Sequence, residues 1–82
     1  MYRVRVFVTL KESILDPAGA AVETALQGLG FADVGGVRIG KMIELTIEKG
    51  EDVDALIQSM CEKLLVNTVM EAYRYEIEEI GS

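Results

Sequence analysis

The segment of residues 2–10, which reads YRVRVFVTL, determines how the rest of the chain can be arranged. Its apolar side chains alternate with Arg3, Arg5, Phe7 and Thr9, and this period of two predicts a β-strand with one buried face. Phe7 makes the second face partly apolar as well. We therefore expect a central strand, or a strand whose outer face meets a partner.

A helix is predicted directly after this strand. Asp16 can accept hydrogen bonds from the first free N–H groups of a helix, and Pro17 suits the first helical position because it has no N–H group. Gly30 suits the left-handed position at the helix end. The apolar stripe between these signals has helical spacing and consists of Ala18, Ala21, Val22, Ala25, Leu26 and Leu29.

Three more strands and a second helix are expected further along the chain. Residues 34–40 and 43–48 predict two strands joined by a bend at Gly40-Lys41. Asp52 predicts the start of a second helix, and Asn67 can end that helix in the left-handed conformation. The last strand is expected over residues 69–78, with large apolar groups on both of its faces.

The predicted order of elements is therefore β-α-β-β-α-β. Two such split halves form an α+β, ferredoxin-like fold, in which a four-stranded antiparallel sheet carries both helices on one face. The chain has 82 residues, which is the size of one domain, so we expect a single domain over residues 1–82. A chain this short buries a modest share of its surface, which favours oligomerisation.

The composition excludes several kinds of chemistry. The chain has no histidine, which is the commonest general base near neutral pH and the commonest metal ligand. Cys61 is the only thiol, so neither an internal disulfide nor a CxxC motif can form. We therefore predict no catalytic, cofactor-binding or metal-binding residue in this chain, and Cys61 is predicted to be a small packed hydrophobe.

The charge distribution restricts the partners. The formal net charge is −6, and residues 51–82 carry all of the excess, whereas nucleic-acid binding requires a basic patch. No apolar run approaches the roughly 20 residues of a membrane span, and no signal-peptide core follows Met1. We expect no nucleic-acid partner, no membrane partner and a cytoplasmic location.

Four blocks of sequence, in collinear order, carry a resemblance to a known family. They are KESILDPAG at residues 11–19, the groups Ala25-Leu26 and Leu29-Gly30-Phe31, VRIGK at residues 37–41 with Glu44-Leu45, and MCEKLLVN at residues 60–67 with Glu71 and Tyr73. Together they resemble the PurS small-subunit family of phosphoribosylformylglycinamidine (FGAM) synthase. The resemblance covers nearly the whole chain.

This resemblance implies a role in de novo purine biosynthesis. It implies a non-catalytic subunit of the enzyme that converts formylglycinamide ribonucleotide (FGAR) to FGAM with ATP and glutamine. Partner subunits, a glutaminase and a synthetase, then use the glutamine, ATP and magnesium. The small subunit is expected to bridge them, to assist ammonia transfer, and to form a homodimer or a homotetramer built as a dimer of dimers.

The resemblance also singles out individual residues. Asp16, Pro17, Gly19, Gly40 and Asn67 match the family pattern and are explained as caps and turns. Lys11, Arg38 and Lys41 match it too and are candidate contacts to a partner subunit or an anion. The alternative function is a free-standing ferredoxin-like module that senses a ligand or regulates another protein, because a fold does not determine a function.

Overall fold

The structure, a computed structural model, describes residues 1–48, 50 and 52–81 and has a three-stranded antiparallel sheet at its centre. The strands are β1 (Tyr2–Leu10), β2 (Lys41–Ile47) and β3 (Glu71–Glu79), in the order β2-β1-β3. Strand β1 pairs with both neighbours, so the prediction of a central first strand is confirmed.

The core lies on one face of this sheet. Val4, Val6 and Val8 of β1 are fully buried there, as the alternating pattern predicts. Helix α2 (Val53–Met60) covers them and continues into a single π-helical turn, Cys61–Leu65. Ile57 of α2 is fully buried against the valines, so this helix and the sheet form the α+β core of the molecule.

Helix α2 begins as predicted but ends differently. The Asp52 side chain caps it by accepting a hydrogen bond of 3.3 Å from the Ala55 N–H group. The π turn closes with a hydrogen bond from the Val66 N–H group to the Cys61 carbonyl, 2.9 Å long. The expected left-handed Asn67 is wrong, because Asp52 is the only non-glycine residue with a positive φ in the described part of the chain. The polypeptide leaves the helix through the extended Val66 instead.

Helix α1 (Pro17–Gly28) has the predicted start and end. Asp16 occupies its N-cap, and Pro17 is its first residue. At the C-terminus Gly30 has a φ of 102°, and the N–H groups of Gly30 and Phe31 donate to the carbonyls of Gln27 and Leu26. This is a Schellman motif, in which glycine takes the left-handed position without steric cost.

The predicted second strand, at residues 34–40, is wrong for the part of the chain that the structure describes, so the sheet has three strands and not four. The backbone N–H groups of Val37 and Ile39 donate to the side chains of Glu23 and Asp16 rather than to a neighbouring strand. No turn forms at Gly40-Lys41, so the segment runs into β2 without folding back on it. Side chains of α1 thus take the place of a paired strand.

The prediction that both helices pack on one face is also wrong for the described residues. Helix α1 contributes no residue to the hydrophobic core that the strands and α2 form. The radius of gyration is 16.3 Å and the principal extents are 49 × 30 × 14 Å. A compact domain of this length has a radius of gyration of about 12 Å, so α1 extends away from the sheet.

Candidate interaction site

Asp16 lies at a junction where the end of β1, the start of α1 and the segment 34–40 meet. Its carboxylate is buried and accepts two backbone hydrogen bonds, from Gly19 (3.0 Å) and from Ile39 (2.7 Å). The hydrogen bond from the Gly19 N–H group has the largest effect and lowers the pKa of Asp16 below its usual value. The hydrogen bond from Ile39 and the charge of Arg38 also lower this pKa. The residue is therefore both a helix cap and a link to a distant segment.

Arg38 closes the other side of this junction. Its Nη2 atom donates to three backbone carbonyls, those of Leu10 (3.1 Å), Lys11 (2.6 Å) and Ile14 (3.0 Å). The guanidinium therefore holds the loop between β1 and α1, a role that the sequence did not indicate. Carbonyl groups carry no side-chain signature, so no residue pattern could have located its acceptors.

Gly19 and Gly40 are required at this junction by close approach. A Cβ atom at Gly19 would collide with the Val37 carbonyl oxygen, and one at Gly40 would collide with the Val8 carbonyl oxygen. Only glycine lets the backbones come this close. Both glycines were predicted as turn residues, and the structure instead places each at a contact between two backbone segments.

The remaining predicted residues lie at the surface. Lys11 and Lys41 are exposed, and within residues 1–48, 50 and 52–81 neither forms a salt bridge. Asn67 lies in the turn before β3, where its side chain accepts a hydrogen bond of 3.1 Å from the Val69 N–H group. The structure thus brings Arg38, Asp16 and Gly19 together and leaves Asn67 at a separate turn.

The outer face of the sheet carries a network of opposite charges. Arg5 pairs with Glu44 of β2 at 2.9 Å and with Glu78 of β3 at 3.4 Å. Arg3 pairs with the same two glutamates at 3.8 Å and 3.6 Å. Cross-strand pairing of this kind neutralises the face locally and stabilises the strand register modestly, because the pairs are exposed.

Next to this network the outer face becomes apolar around Phe7. The Arg74 guanidinium lies over the Phe7 ring at 4.1 Å from its centroid, in a cation–π contact. Phe7 and Arg74 line a shallow depression of about 230 Å³. The prediction that β3 adds large apolar groups to this face is wrong, because Tyr73, Tyr75 and Ile77 share the inner face with Val4, Val6 and Val8.

The thiol of Cys61 lies in the core and not at the surface. Cys61 is fully buried, and burial, with a smaller contribution from the Glu62 charge, raises the pKa of its thiol. It packs as a small apolar group against β1. In the described ranges no three histidine, cysteine or acidic side chains are grouped as a metal site would require. No helix in these ranges is long and apolar enough to cross a membrane.

The chain is similar in sequence to subunits of phosphoribosylformylglycinamidine (FGAM) synthase. A family described as "PurS: Phosphoribosylformylglycinamidine (FGAM) synthase" matches residues 3–79. The FGAM synthase subunit PurS of Bacillus subtilis is 59% identical over 81 residues, which cover 98% of this chain and 96% of that one. The PurS subunit of Methanocaldococcus jannaschii is 38% identical over 98% of this chain and 99% of its own length.

Solved structures of related chains also match the fold of this chain. A crystal structure of B. subtilis PurS matches with a TM-score of 0.85 at 60% identity, over 96% of this chain and 100% of that one. A chain in the structure of PurLQS from Thermotoga maritima matches with a TM-score of 0.80 at 29% identity, over 94% of this chain and 96% of that one. The overall fold of this chain is therefore shared with experimentally determined chains.

Proposed function

This chain belongs to the PurS family of FGAM synthase subunits, and we propose on that premise that it is the non-catalytic small subunit that joins the glutaminase and the synthetase. The observation that carries the proposal is the family match over residues 3–79. FGAM synthase acts in purine biosynthesis, and PurS is one of its subunits. The chain assists the transfer of ammonia between the two larger subunits, in the cytoplasm.

The division of labour follows from the chemistry that the chain offers. It has no histidine, its one thiol is buried, and Arg3 and Arg5 on the sheet are paired with Glu44 and Glu78. We propose that the partner subunits bind ATP, magnesium and glutamine, while this chain binds no cofactor and contributes surfaces. We also propose a homodimer, or a homotetramer formed by two dimers, as its oligomeric state.

The function is tested by reconstitution with the cognate glutaminase and synthetase. The chain alone is expected to show no ATPase or glutaminase activity, and adding it to the two partners should restore glutamine-dependent FGAM formation. When ammonium is supplied in place of glutamine, FGAM formation should depend less on this chain, because ammonia then needs no transfer between subunits. Equal glutamine-dependent rates with and without the chain would contradict the proposal.

The candidate contacts can be examined in the same assay. We propose that Lys11 and Lys41 contact a partner subunit or an anion, since both are exposed and have no acidic partner in the described ranges. The double variant K11E/K41E should fold normally and lose assembly. Lys63, on the π turn, supplies the matched control K63E. Arg38 is a poor site for charge reversal, because it holds the loop backbone.

A further inference from the structure

Strand β3 lies at the edge of the sheet and has one side without a strand partner in the described ranges. Just before β3, the Lys11 N–H group donates to the Met70 carbonyl at 2.9 Å. Just after it, the Ile80 N–H group donates to the Met1 carbonyl at 3.0 Å. Hydrogen-bonded pairs alternate along an antiparallel ladder, so the even-numbered residues of β3 bind β1. In the middle of β3, the residues whose backbone groups point away from β1 are Tyr73, Tyr75 and Ile77.

These outward backbone groups form an open template for a further strand. Within the described chain, the N–H and C=O groups of Tyr73, Tyr75 and Ile77 have no hydrogen-bond partner. Strand β3 is nine residues long, and it has no proline and no bulge in its register with β1. Proline, a bulge or a covering element commonly blocks an edge to which no strand should add. None of these devices protects the free edge of β3 among the described residues.

The charge on β3 indicates which kind of strand fits this edge. The strand carries four glutamates and one base, in a chain of net charge −6. The side chains of Glu76 and Glu78, on the outer face, are 57% and 52% exposed. A strand beside β3 would bring its own side chains within about 5 Å of them, where opposite charges stabilise a sheet. Lysine or arginine is therefore favoured there, whereas β2, the other edge strand, has one base and one acid and gives no such preference.

The inner face of β3 adds an apolar requirement. Tyr75 is half-buried beside the core, and Ile77 is 38% exposed. Both lie on the face opposite to Glu76 and Glu78, because side chains alternate along a strand. Apolar side chains of an added strand would cover the surface that remains exposed. The segment that fits this edge is thus extended, with basic and apolar residues in alternation.

From these observations we propose that one of the two larger FGAM synthase subunits adds an extended segment to the free edge of β3. The segment carries lysine or arginine beside Glu76 and Glu78, and apolar side chains beside Tyr75 and Ile77. This rests on the proposed function, since the segment belongs to a subunit of the same enzyme. Main-chain hydrogen bonds hold such a segment in place, and the alternating side chains select it.

A single change in the backbone tests the strand addition. Cys61 is the only thiol, so a synthetic peptide of residues 61–82 can be ligated to a recombinant thioester of residues 1–60. An N-methyl group on the Ile77 backbone removes one outward N–H group and leaves every side chain in place. The urea midpoint should stay unchanged, because this N–H group has no partner in the described chain. Binding to the glutaminase, the synthetase and their mixture is measured by biolayer interferometry, and it should weaken about tenfold for the subunit that supplies the segment.

The ligated chain without the N-methyl group is the reference, and an N-methyl group on Glu76 checks the register. The Glu76 N–H group faces β1, so its methylation should lower the urea midpoint. Equal binding by the reference chain and the chain methylated at Ile77 would overturn the proposal. A change in the mass of the methylated chain alone in solution would also overturn it, because a second copy would then occupy the edge. A reference chain that binds neither larger subunit would refute the proposed function as well.

The charge requirement is tested with E78Q and its matched control E44Q. Glu78 and Glu44 bind the same two arginines and are similarly exposed, but Glu44 lies on β2, at the far side of the sheet. E78Q should weaken binding about two- to fivefold and make it less sensitive to added NaCl, because a charge pair with the incoming strand is lost. E44Q should match the wild type in both measurements. Equal effects of E78Q and E44Q would overturn the proposed basic segment.

Discussion

Asp16 joins two segments that lie 23 positions apart in the sequence, the start of α1 and the strand-like segment that precedes β2. The Asp-Pro pair predicted the cap, because capping depends on neighbours within one helical turn. The bond to Ile39 could not be predicted, since nothing local to either residue encodes it. The hydrogen bonds of Arg38 could not be predicted either, because its three acceptors are backbone carbonyl groups, which every residue possesses.

The charge of Asp16 makes this junction dependent on pH. Its pKa in the folded chain is lowered, so its carboxylate stabilises the fold above the unfolded value of about 3.9, and this contribution is lost as the pH falls through the folded value. Asn in its place is uncharged, so it cannot provide negatively charged acceptor oxygens for both N–H groups. D16N should therefore lower the urea midpoint more at pH 7 than at pH 2.5. A difference that stays constant between the two pH values would contradict this expectation.

Gly19 gives a second prediction at the same scale. In G19A the new Cβ would collide with the Val37 carbonyl, and overpacking of this kind costs about 1–3 kcal/mol of unfolding free energy. G28A is the matched control, because Gly28 ends the same helix and has no other atom near the position of a Cβ. Alanine there should gain roughly 0.5–1 kcal/mol. Urea denaturation followed by circular dichroism measures both, and a neutral G19A would show that the contact relaxes freely.

At the scale of elements, β1 and α1 were predictable because each carries its own periodicity, and α1 also carries signals at both of its ends. The segment 34–40 carries apolar residues too, yet it is not a strand. A strand requires a partner for its backbone groups, and here the side chains of α1 provide the acceptors. The π turn at Cys61–Leu65 was also outside prediction, because an α-helix and a π-helix differ in hydrogen bonding and not in residue type.

The position of α2 against β3 depends on a hydroxyl group. Tyr75 donates a hydrogen bond of 2.9 Å to Asp54 and accepts one of 3.3 Å from Gln58, both on α2. Y75F removes these bonds and should lower the free energy of unfolding by about 0.5–1.5 kcal/mol. Tyr73 is the matched control, since its hydroxyl has no hydrogen bond among the described residues. Y73F should therefore stay within about 0.5 kcal/mol of the wild type, and equal losses in the two variants would contradict the assigned role.

At the scale of the whole molecule, the small size and the absent histidine pointed to a protein that works through association. The α+β fold class could be predicted from the order of the elements. The packing of the elements against one another could not be predicted from that order. The ferredoxin-like interpretation assumed that each helix covers the sheet of its own chain, whereas α1 lies beyond the sheet. Periodicity shows that a helix has an apolar face, and it does not show which molecule covers that face.

The acidic C-terminal part of the chain has a consequence for aggregation. Strand β3 has one strand neighbour among the described residues, so its other edge presents backbone groups to which a further strand could add. It carries Glu71, Glu76, Glu78 and Glu79 against the single base Arg74. Two β3 edges from different molecules would bring these glutamates face to face, and like charges on opposed strands repel. The charge excess of this strand thus opposes the pairing of two β3 edges from different molecules.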